Sequence, residues 1–198
     1  VECALQVLPA DFDGAVVVTS GDVPLLDVPT LDSLLEAHLA GGFAATVLTQ
    51  LADDPSGYGR IIRSNDGSFL GIIEHRDATE EQLQIAEVNA GVYVFDSKAL
   101  RESLGKLSAH NAQGERYLTD IAAMLVRDGA KAQALAVSDN WLVAGINDRV
   151  QLSEVAAELN RRICEAWMQA GVTILDPYTT WIDVTVSIGE DAVILPGT

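Results

Sequence analysis

The sequence predicts an α/β fold organised around a parallel sheet, and three features predict it. The apolar run Ala15-Val16-Val17-Val18-Thr19 reads as a fully buried strand. Residues 30–40 carry Leu31, Leu34, Leu35, His38 and Leu39 at helical spacing. A second apolar run, Ala44-Ala45-Thr46-Val47-Leu48-Thr49, follows. Strand, helix and strand in that order make a βαβ unit, whose crossover is right-handed.

Each element has its own local reason. The opening residues 1–8 read as the end of an amphipathic helix entered midway. After the first strand, Pro24 and Leu25-Leu26 turn the chain toward a helix capped by Thr30 and ended by Gly41-Gly42. His38 lies on that helix's apolar face, where a structural histidine is a simpler reading than a ligand. Tyr58-Gly59-Arg60-Ile61-Ile62-Arg63 and Phe69-Leu70-Gly71-Ile72-Ile73-Glu74 flank Ser64-Asn65-Asp66-Gly67. Asp-Gly between two strand-like runs predicts a hairpin. Residues 77–87 form a polar, acidic excursion with some helix, and 88–95 return to strand. Asp96 or Ser97 caps a short helix. Residues 117–127 form another, with Leu118, Ile121, Ala122 and Leu125 inward and Gly129 as its stop. Residues 132–137 are again strand.

A long helix is predicted over 148–170, with Val155, Leu159, Ile163, Ala166 and Ala170 as its core-packing face. Glu158 with Arg162, and Arg161 with Glu165, are i,i+4 pairs on it. Gly171 ends it. Beyond, small and β-branched residues recur at short intervals over 182–194. Ile188 followed by Ile194 gives one six-residue step, the rhythm of a parallel β-helix coil, and equally a step that an ordinary hairpin produces.

Composition narrows the function. The 198 residues suffice for a sizeable core, and 48% are hydrophobic without any run long enough to cross a membrane. A soluble protein is expected. The net charge of −17 argues against nucleic acid or an anionic membrane surface as partner. An anionic substrate then needs a metal ion, backbone amides or basic residues from elsewhere. Cys3 and Cys164 are far apart and have no Cys-x-x-Cys spacing, which points to a reducing cytoplasm rather than a disulfide framework. His38, His75 and His110 are scattered and match no zinc spacing. The chain opens on Val1 without a signal-peptide pattern and stops at Thr198 inside what reads as a repeat, so a piece of a longer protein is expected.

The most informative stretch is Ser20-Gly21-Asp22-Val23-Pro24. It places a lone carboxylate beside a glycine at a strand's carboxyl end, where ligands of open α/β sheets collect. Glycine lets backbone approach a ligand, and one Asp can hold a divalent metal against phosphate oxygens. A strand followed by a capping Asp is the equal alternative.

Further motifs follow in order: Gly57-Tyr58-Gly59-Arg60-Ile61, Ile73-Glu74-His75, Glu87-Val88-Asn89-Ala90-Gly91 and Gly145-Ile146-Asn147-Asp148-Arg149. With Asn111-Ala112-Gln113-Gly114-Glu115, Tyr117-Leu118-Thr119-Asp120 and Ala170-Gly171-Val172, the whole chain resembles the bacterial N-acetylglucosamine-1-phosphate uridyltransferases. In that family the domain is fused to a glucosamine-1-phosphate acetyltransferase. The resemblance implies a mixed, mostly parallel Rossmann-like nucleotidyltransferase sheet, a linker helix and the start of a left-handed β-helix that trimerises. It places the last two-thirds of the uridyltransferase domain at 1–147, the linker helix at 148–170 and the β-helix start at 171–198.

The resemblance also implies the site. Asp22 and Asn147 hold Mg2+, Gly59, Glu74 and Asn89 contact the sugar-nucleotide, and Ser20 and Gly21 lie near the nucleotide. The implied substrates are UTP and N-acetylglucosamine 1-phosphate, with acetyl-CoA serving the acetyltransferase domain. Chemistry agrees: Mg2+ takes few protein oxygens and keeps water and phosphate as its other ligands. Glu74 is an acceptor for sugar hydroxyls or an acetamido N–H, and Asn89 is donor and acceptor at once. The alternatives are a turn role for Gly59, a solvated strand-end charge for Glu74, and turn caps for Asn89 and Asn147. The family's glycine-rich phosphate loop, with its Arg and Lys, and its acetyltransferase residues fall outside residues 1–198. Asp148 stands where many relatives have a second Asn; it either tightens metal binding or faces solvent. Another hexose 1-phosphate as substrate, a metal-dependent glycosyltransferase and a non-catalytic core are the rival readings. The glycosyltransferase usually shows Asp-x-Asp, whereas Val23-Pro24 follow Asp22 here.

Overall fold

β-branched runs and a tight Asp-Gly turn build six strands into one mixed sheet. They are β1 (Ala15–Thr19), β2 (Ala45–Leu51), β3 (Arg60–Arg63), β4 (Phe69–Ile73), β5 (Glu87–Asp96) and β6 (Ala132–Ala136). The structure, a computed structural model, describes residues 1–109 and 112–198; His110 and the motif residue Asn111 lie outside the described residues. The chain divides into two units, residues 1–21 with 26–143, and residues 22–25 with 144–198.

In the first unit the strand order is β4-β3-β5-β2-β6, with β1 also on β5. β5 carries β2 along one edge. Its other edge is shared between β3, paired at Val88, and β1, paired from Val92 to Asp96. These pairings and β3–β4 are antiparallel, and β2–β6 is parallel. The sheet is mixed as expected, but its pairings are mostly antiparallel rather than mostly parallel. β1 and β2 do run in the same direction, but β5 is interleaved between them in the opposite one. A fully buried β1 is corrected too. Val16 and Val18 pack on the core while Val17 is 42% exposed, the alternation of a strand covered on one face.

The hairpin forms as predicted, with Gly67 at φ 85° in its turn. The first long helix, α2 (Val28–Gly41), follows a short α1 (Glu2–Leu5) and starts two residues before its predicted cap. Asp27 is the cap, accepting from the Thr30 amide at 2.9 Å, and Pro29 fits the first turn. Leu34 and His38 are buried, whereas Leu39 is exposed. His38 Nδ1 lies 3.0 Å from Thr46 Oγ1, and burial pushes its pKa down, so it is a satisfied core residue. The acidic excursion holds α3 (Glu80–Leu83), closed by a Thr79–Gln82 capping box. Asp96 caps α4 (Ser97–Leu104) by accepting from the Lys98 and Ala99 amides. α5 (Asp120–Arg127) buries Ile121, Ala122 and Leu125. These helices cover a core that includes Val47, Ile61, Ile72, Tyr93, Phe95 and Leu100.

The second unit is built on α6 (Arg149–Gln169), capped by Asp148, which accepts from the Gln151 amide at 2.8 Å. Its buried positions are Val155, Glu158, Asn160 and Cys164, while Leu159, Ala166 and Ala170 are exposed. The predicted face holds at Val155 and at Ile163, which packs on this unit's small core, and is corrected at Leu159, Ala166 and Ala170, where polar Glu158 and Asn160 are turned inward instead. The Asn160 amide works like a strand partner: Nδ2 donates to the Thr180 carbonyl at 2.7 Å, and Oδ1 accepts from the Ile182 amide at 3.0 Å. Cys164, Val172, Ile174 and Ile182 form a small core, with Ile188 and Ile194 packed against it. Two short strands, β7 (Thr173–Ile174) and β8 (Val193–Ile194), pair in parallel.

Both predicted ion pairs on α6 form, and Arg161 adds a third contact, to Glu158. The hydrogen bonds from Arg161 and then Arg162, against the opposing effect of burial, bring Glu158 down to about 2. Its folded pKa lies below its unfolded one, so its stabilisation is present above about 4.5 and fades as pH falls toward 2. Glu158→Gln is expected to lose about 1 kcal/mol at pH 7. The gap from wild type should close between pH 4.5 and 2 in urea denaturation.

Candidate functional site

The sequence points to Ser20, Gly21, Asp22, Gly59, Glu74, Asn89 and Asn147. In the first unit, five of them meet where the edge of β5 passes from β3 to β1. β5 bulges there: Leu48 pairs with Val92 and Thr49 with Asn89. Gly91 in the bulge has φ 72°, the left-handed region, and a Cβ on it would stand 2.5 Å from Ser20 Oγ. The Ser20 amide and hydroxyl both donate to the Gly91 carbonyl, at 3.1 and 3.3 Å. Two residues earlier, the Asn89 amide donates to the Gly59 carbonyl at 2.8 Å. The end of β1 and the approach to β3 are therefore tied to one short stretch of β5, with Gly21 exposed beside Ser20.

Asn89 is held at both ends of its side chain. Nδ2 donates to the Tyr93 hydroxyl at 2.7 Å, and Oδ1 accepts from the Gly91 amide at 3.1 Å. The turn-cap role is thus present. One N–H and one lone pair of the amide remain for a ligand. Burial pushes Tyr93 up to about 12, and the Glu74 charge adds to it, so the phenol stays protonated.

Glu74 accepts from Thr119 Oγ1 at 2.7 Å. Gly59 packs against the hairpin: a Cβ there would meet Ile72 Cγ2 at 2.9 Å and approach Glu74 Oε2 at 3.5 Å. Glycine is required here by packing, and its absent side chain keeps the Glu74 carboxylate open to the Gly59 turn. Burial, followed by the Glu74 and Asp77 charges, pushes the neighbouring Asp120 carboxyl up.

In the second unit, the Ile146 amide donates to the Asp22 carbonyl at 2.9 Å, which sets Asn147 one residue away. Asp22 Oδ2 lies 3.8 Å from where a Cβ on Gly145 would stand. Asp22 and Asn147 are both exposed. Among the described residues no group of three or more His, Cys, Asp or Glu side chains is placed to hold a metal ion. One carboxylate and one amide oxygen instead suit a hard cation that keeps water and phosphate ligands, as Mg2+ does. Asp148 uses its carboxylate to cap α6.

Tyr93 was not singled out by the sequence, and Thr119 and Gly91 stood within motifs there without a role of their own. Thr119 reads locally as a helix cap, yet it makes no side-chain cap bond and gives its hydroxyl to Glu74. Tyr93 is hidden in an apolar strand. Gly91 did carry a signal, since glycine inside a strand marks a bulge. Thr119→Val is expected to lower stability by about 1.5–3 kcal/mol, by removing a hydrogen bond to a charged group. Thr119→Ser should retain most of it in urea denaturation.

A sequence model of the nucleotidyl transferase family matches residues 1–184. The chain is 59% identical over 198 residues to the bifunctional protein GlmU of Mycolicibacterium vanbaalenii, covering 100% of this chain and 40% of that protein. It is 58% identical, with the same coverage, to the bifunctional protein GlmU of Clavibacter sepedonicus. The chain thus spans 40% of the length of these curated relatives. Two solved structures share its fold. A nucleoside-diphosphate-sugar pyrophosphorylase from Vibrio cholerae aligns with TM-score 0.52 and 15% identity, over 77% of this chain and 59% of that one. A 4-diphosphocytidyl-2C-methyl-D-erythritol synthase from Anaerococcus prevotii aligns with TM-score 0.50 and 14% identity, over 79% and 63%.

Proposed function

Because the chain belongs to the nucleotidyl transferase family, we propose that it is part of a uridyltransferase that joins N-acetylglucosamine 1-phosphate to UTP. The observation that carries this reading is the stretch of β5 to which Ser20, Gly59 and Asn89 are tied, with Glu74 held beside Gly59. A neutral, hydroxyl-rich sugar suits these residues: Glu74 accepts its hydroxyl or acetamido protons, and the free N–H and lone pair of Asn89 bond it further. Ser20 and Gly21 face the nucleotide.

A phosphate oxygen of the sugar phosphate attacks the α-phosphorus of UTP in line. The bond to the β-phosphate bridging oxygen breaks, and pyrophosphate leaves with UDP-N-acetylglucosamine formed. No covalent nucleophile is needed; the residues position and orient the reactants. Asp22 and Asn147 would hold Mg2+, which when bound neutralises charge on the phosphates.

The same reading gives the chain's parts. Residues 1–147 belong to the uridyltransferase domain, 148–170 to a linker helix and 171–198 to the start of a left-handed β-helix. The parallel β7–β8 pair and the six-residue spacing of Ile182, Ile188 and Ile194 in one small core support the last of these. A homotrimeric cytoplasmic protein whose other domain is a glucosamine-1-phosphate acetyltransferase using acetyl-CoA completes the proposal. Among the described residues no helix is long and apolar enough to cross a membrane.

The test is pyrophosphate release by the protein expressed from its whole gene, with UTP and a panel of sugar 1-phosphates. N-acetylglucosamine 1-phosphate should give the highest kcat/KM. Preference for another hexose 1-phosphate would replace the substrate, and no release with any of them would overturn the reading.

A further inference from the structure

We propose that Arg60 is a positioning residue for the sugar-binding end of the site. Its buried guanidinium locks Gly59 and Glu74 in place by tying together three segments of chain. This rests on the uridyltransferase reading above.

Arg60 is 1% exposed, although it is a charged residue at the first position of a strand. Nη1 donates to the Tyr58 carbonyl. Nη2 lies 3.4 Å from His75 Nδ1 and donates to the Leu83 carbonyl at 3.5 Å. Nε is buried without a partner. His75 Nδ1 also accepts from the Gly57 amide at 3.2 Å, so the imidazole nitrogen faces two donors and acts as their acceptor.

Among the described residues no carboxylate pairs with Arg60. Asp54 feels its charge, but Asp54 is exposed and bonded to the Ser56 amide at 3.0 Å. A buried cation without a counter-ion is unfavourable compared with an apolar side chain of similar size. Packing therefore does not account for an arginine here, and its contacts do. Tyr58 precedes Gly59, whose carbonyl receives the Asn89 amide. His75 follows Glu74. Leu83 is the last residue of α3, the helix inserted between β4 and β5. One planar fork thus fixes the turn that carries Gly59, the strand end that carries Glu74 and the excursion beside them. Lysine carries its three donors on one nitrogen, so it cannot match the spread of a planar fork to three divergent acceptors.

The test uses the whole protein carrying Arg60→Lys, Arg60→Ala or His75→Ala, with KM measured separately for each substrate and a thermal melt for each variant. The KM for the sugar phosphate should rise about tenfold or more in the Arg60 variants, and less in His75→Ala, with the KM for UTP within about twofold. Guanidinium ion at low millimolar concentration should restore much of the sugar KM of Arg60→Ala, and sodium chloride at equal ionic strength should not. If Arg60→Ala does not fold, the lysine and His75 variants carry the test. An unchanged sugar KM, or both KM values rising together with a lowered melting temperature, would overturn the proposal while leaving the uridyltransferase reading standing. Absence of turnover in the wild-type protein would overturn that reading, and this proposal with it.

Discussion

Asp22→Ala is expected to lower magnesium-dependent pyrophosphate release by about 10³-fold or more in the whole protein, since a metal's contribution is several kcal/mol and each 1.36 kcal/mol is tenfold in rate. The reason is the donor set. Asp22 is the only ionised ligand of the proposed pair, and the other, Asn147, is neutral. Two protein oxygens bind Mg2+ weakly, so the nucleotide phosphates must complete the shell. Raising the magnesium concentration should therefore recover part of the activity of Asn147→Ala and little of Asp22→Ala. Neither change should move the thermal melt appreciably, because both side chains are exposed and surface changes usually stay within about 0.5 kcal/mol. Full magnesium-dependent activity in Asp22→Ala would return Asp22 to the role of a turn residue.

Phe95→Ala should be the most damaging change to stability among those considered. Phe95 is 0% exposed, pairs with Val16 on one side and Ala45 on the other, and stacks on Tyr93 with ring centroids 5.6 Å apart. Deleting a buried phenyl ring removes about 3–5 kcal/mol. For a chain of this size that is a fall of about 10 °C in melting temperature. The loss should reach the site as well, because Tyr93 holds the Asn89 amide. Phe95→Leu, which keeps most of the volume, should recover much of the stability in the same melts.

The elements were legible wherever their cause is local. Asn65-Asp66-Gly67 specifies its turn by backbone preference alone, and Asp96 announces its helix by cap chemistry, whereas the cap role of Asp148 emerged only from the fold. The sheet order was not legible, because nothing within β5 states that it enters antiparallel between β1 and β2. The pairing partners come from positions far along the chain. The buried face of α6 escaped for a different reason. Hydrophobic periodicity finds helices that pack on apolar surfaces, but Asn160 and Glu158 are buried by hydrogen bonds to backbone and to arginines. At the site, Ser20, Gly59, Glu74 and Asn89 were readable as an ordered set of motifs. The groups that hold them, Thr119 and Tyr93, look like a helix cap and a core aromatic until the fold brings them together.

If residues 171–198 begin a β-helix, as proposed, the tail of the chain has a quantised length. Ile182, Ile188 and Ile194 reach one small core from positions six apart. Removing three residues between two of them would turn a core isoleucine toward water and bring a polar neighbour inward. Removing six would return an isoleucine to the same place. On that reading, insertions and deletions in this segment would be filtered by arithmetic, and lengthening would be safest by whole steps.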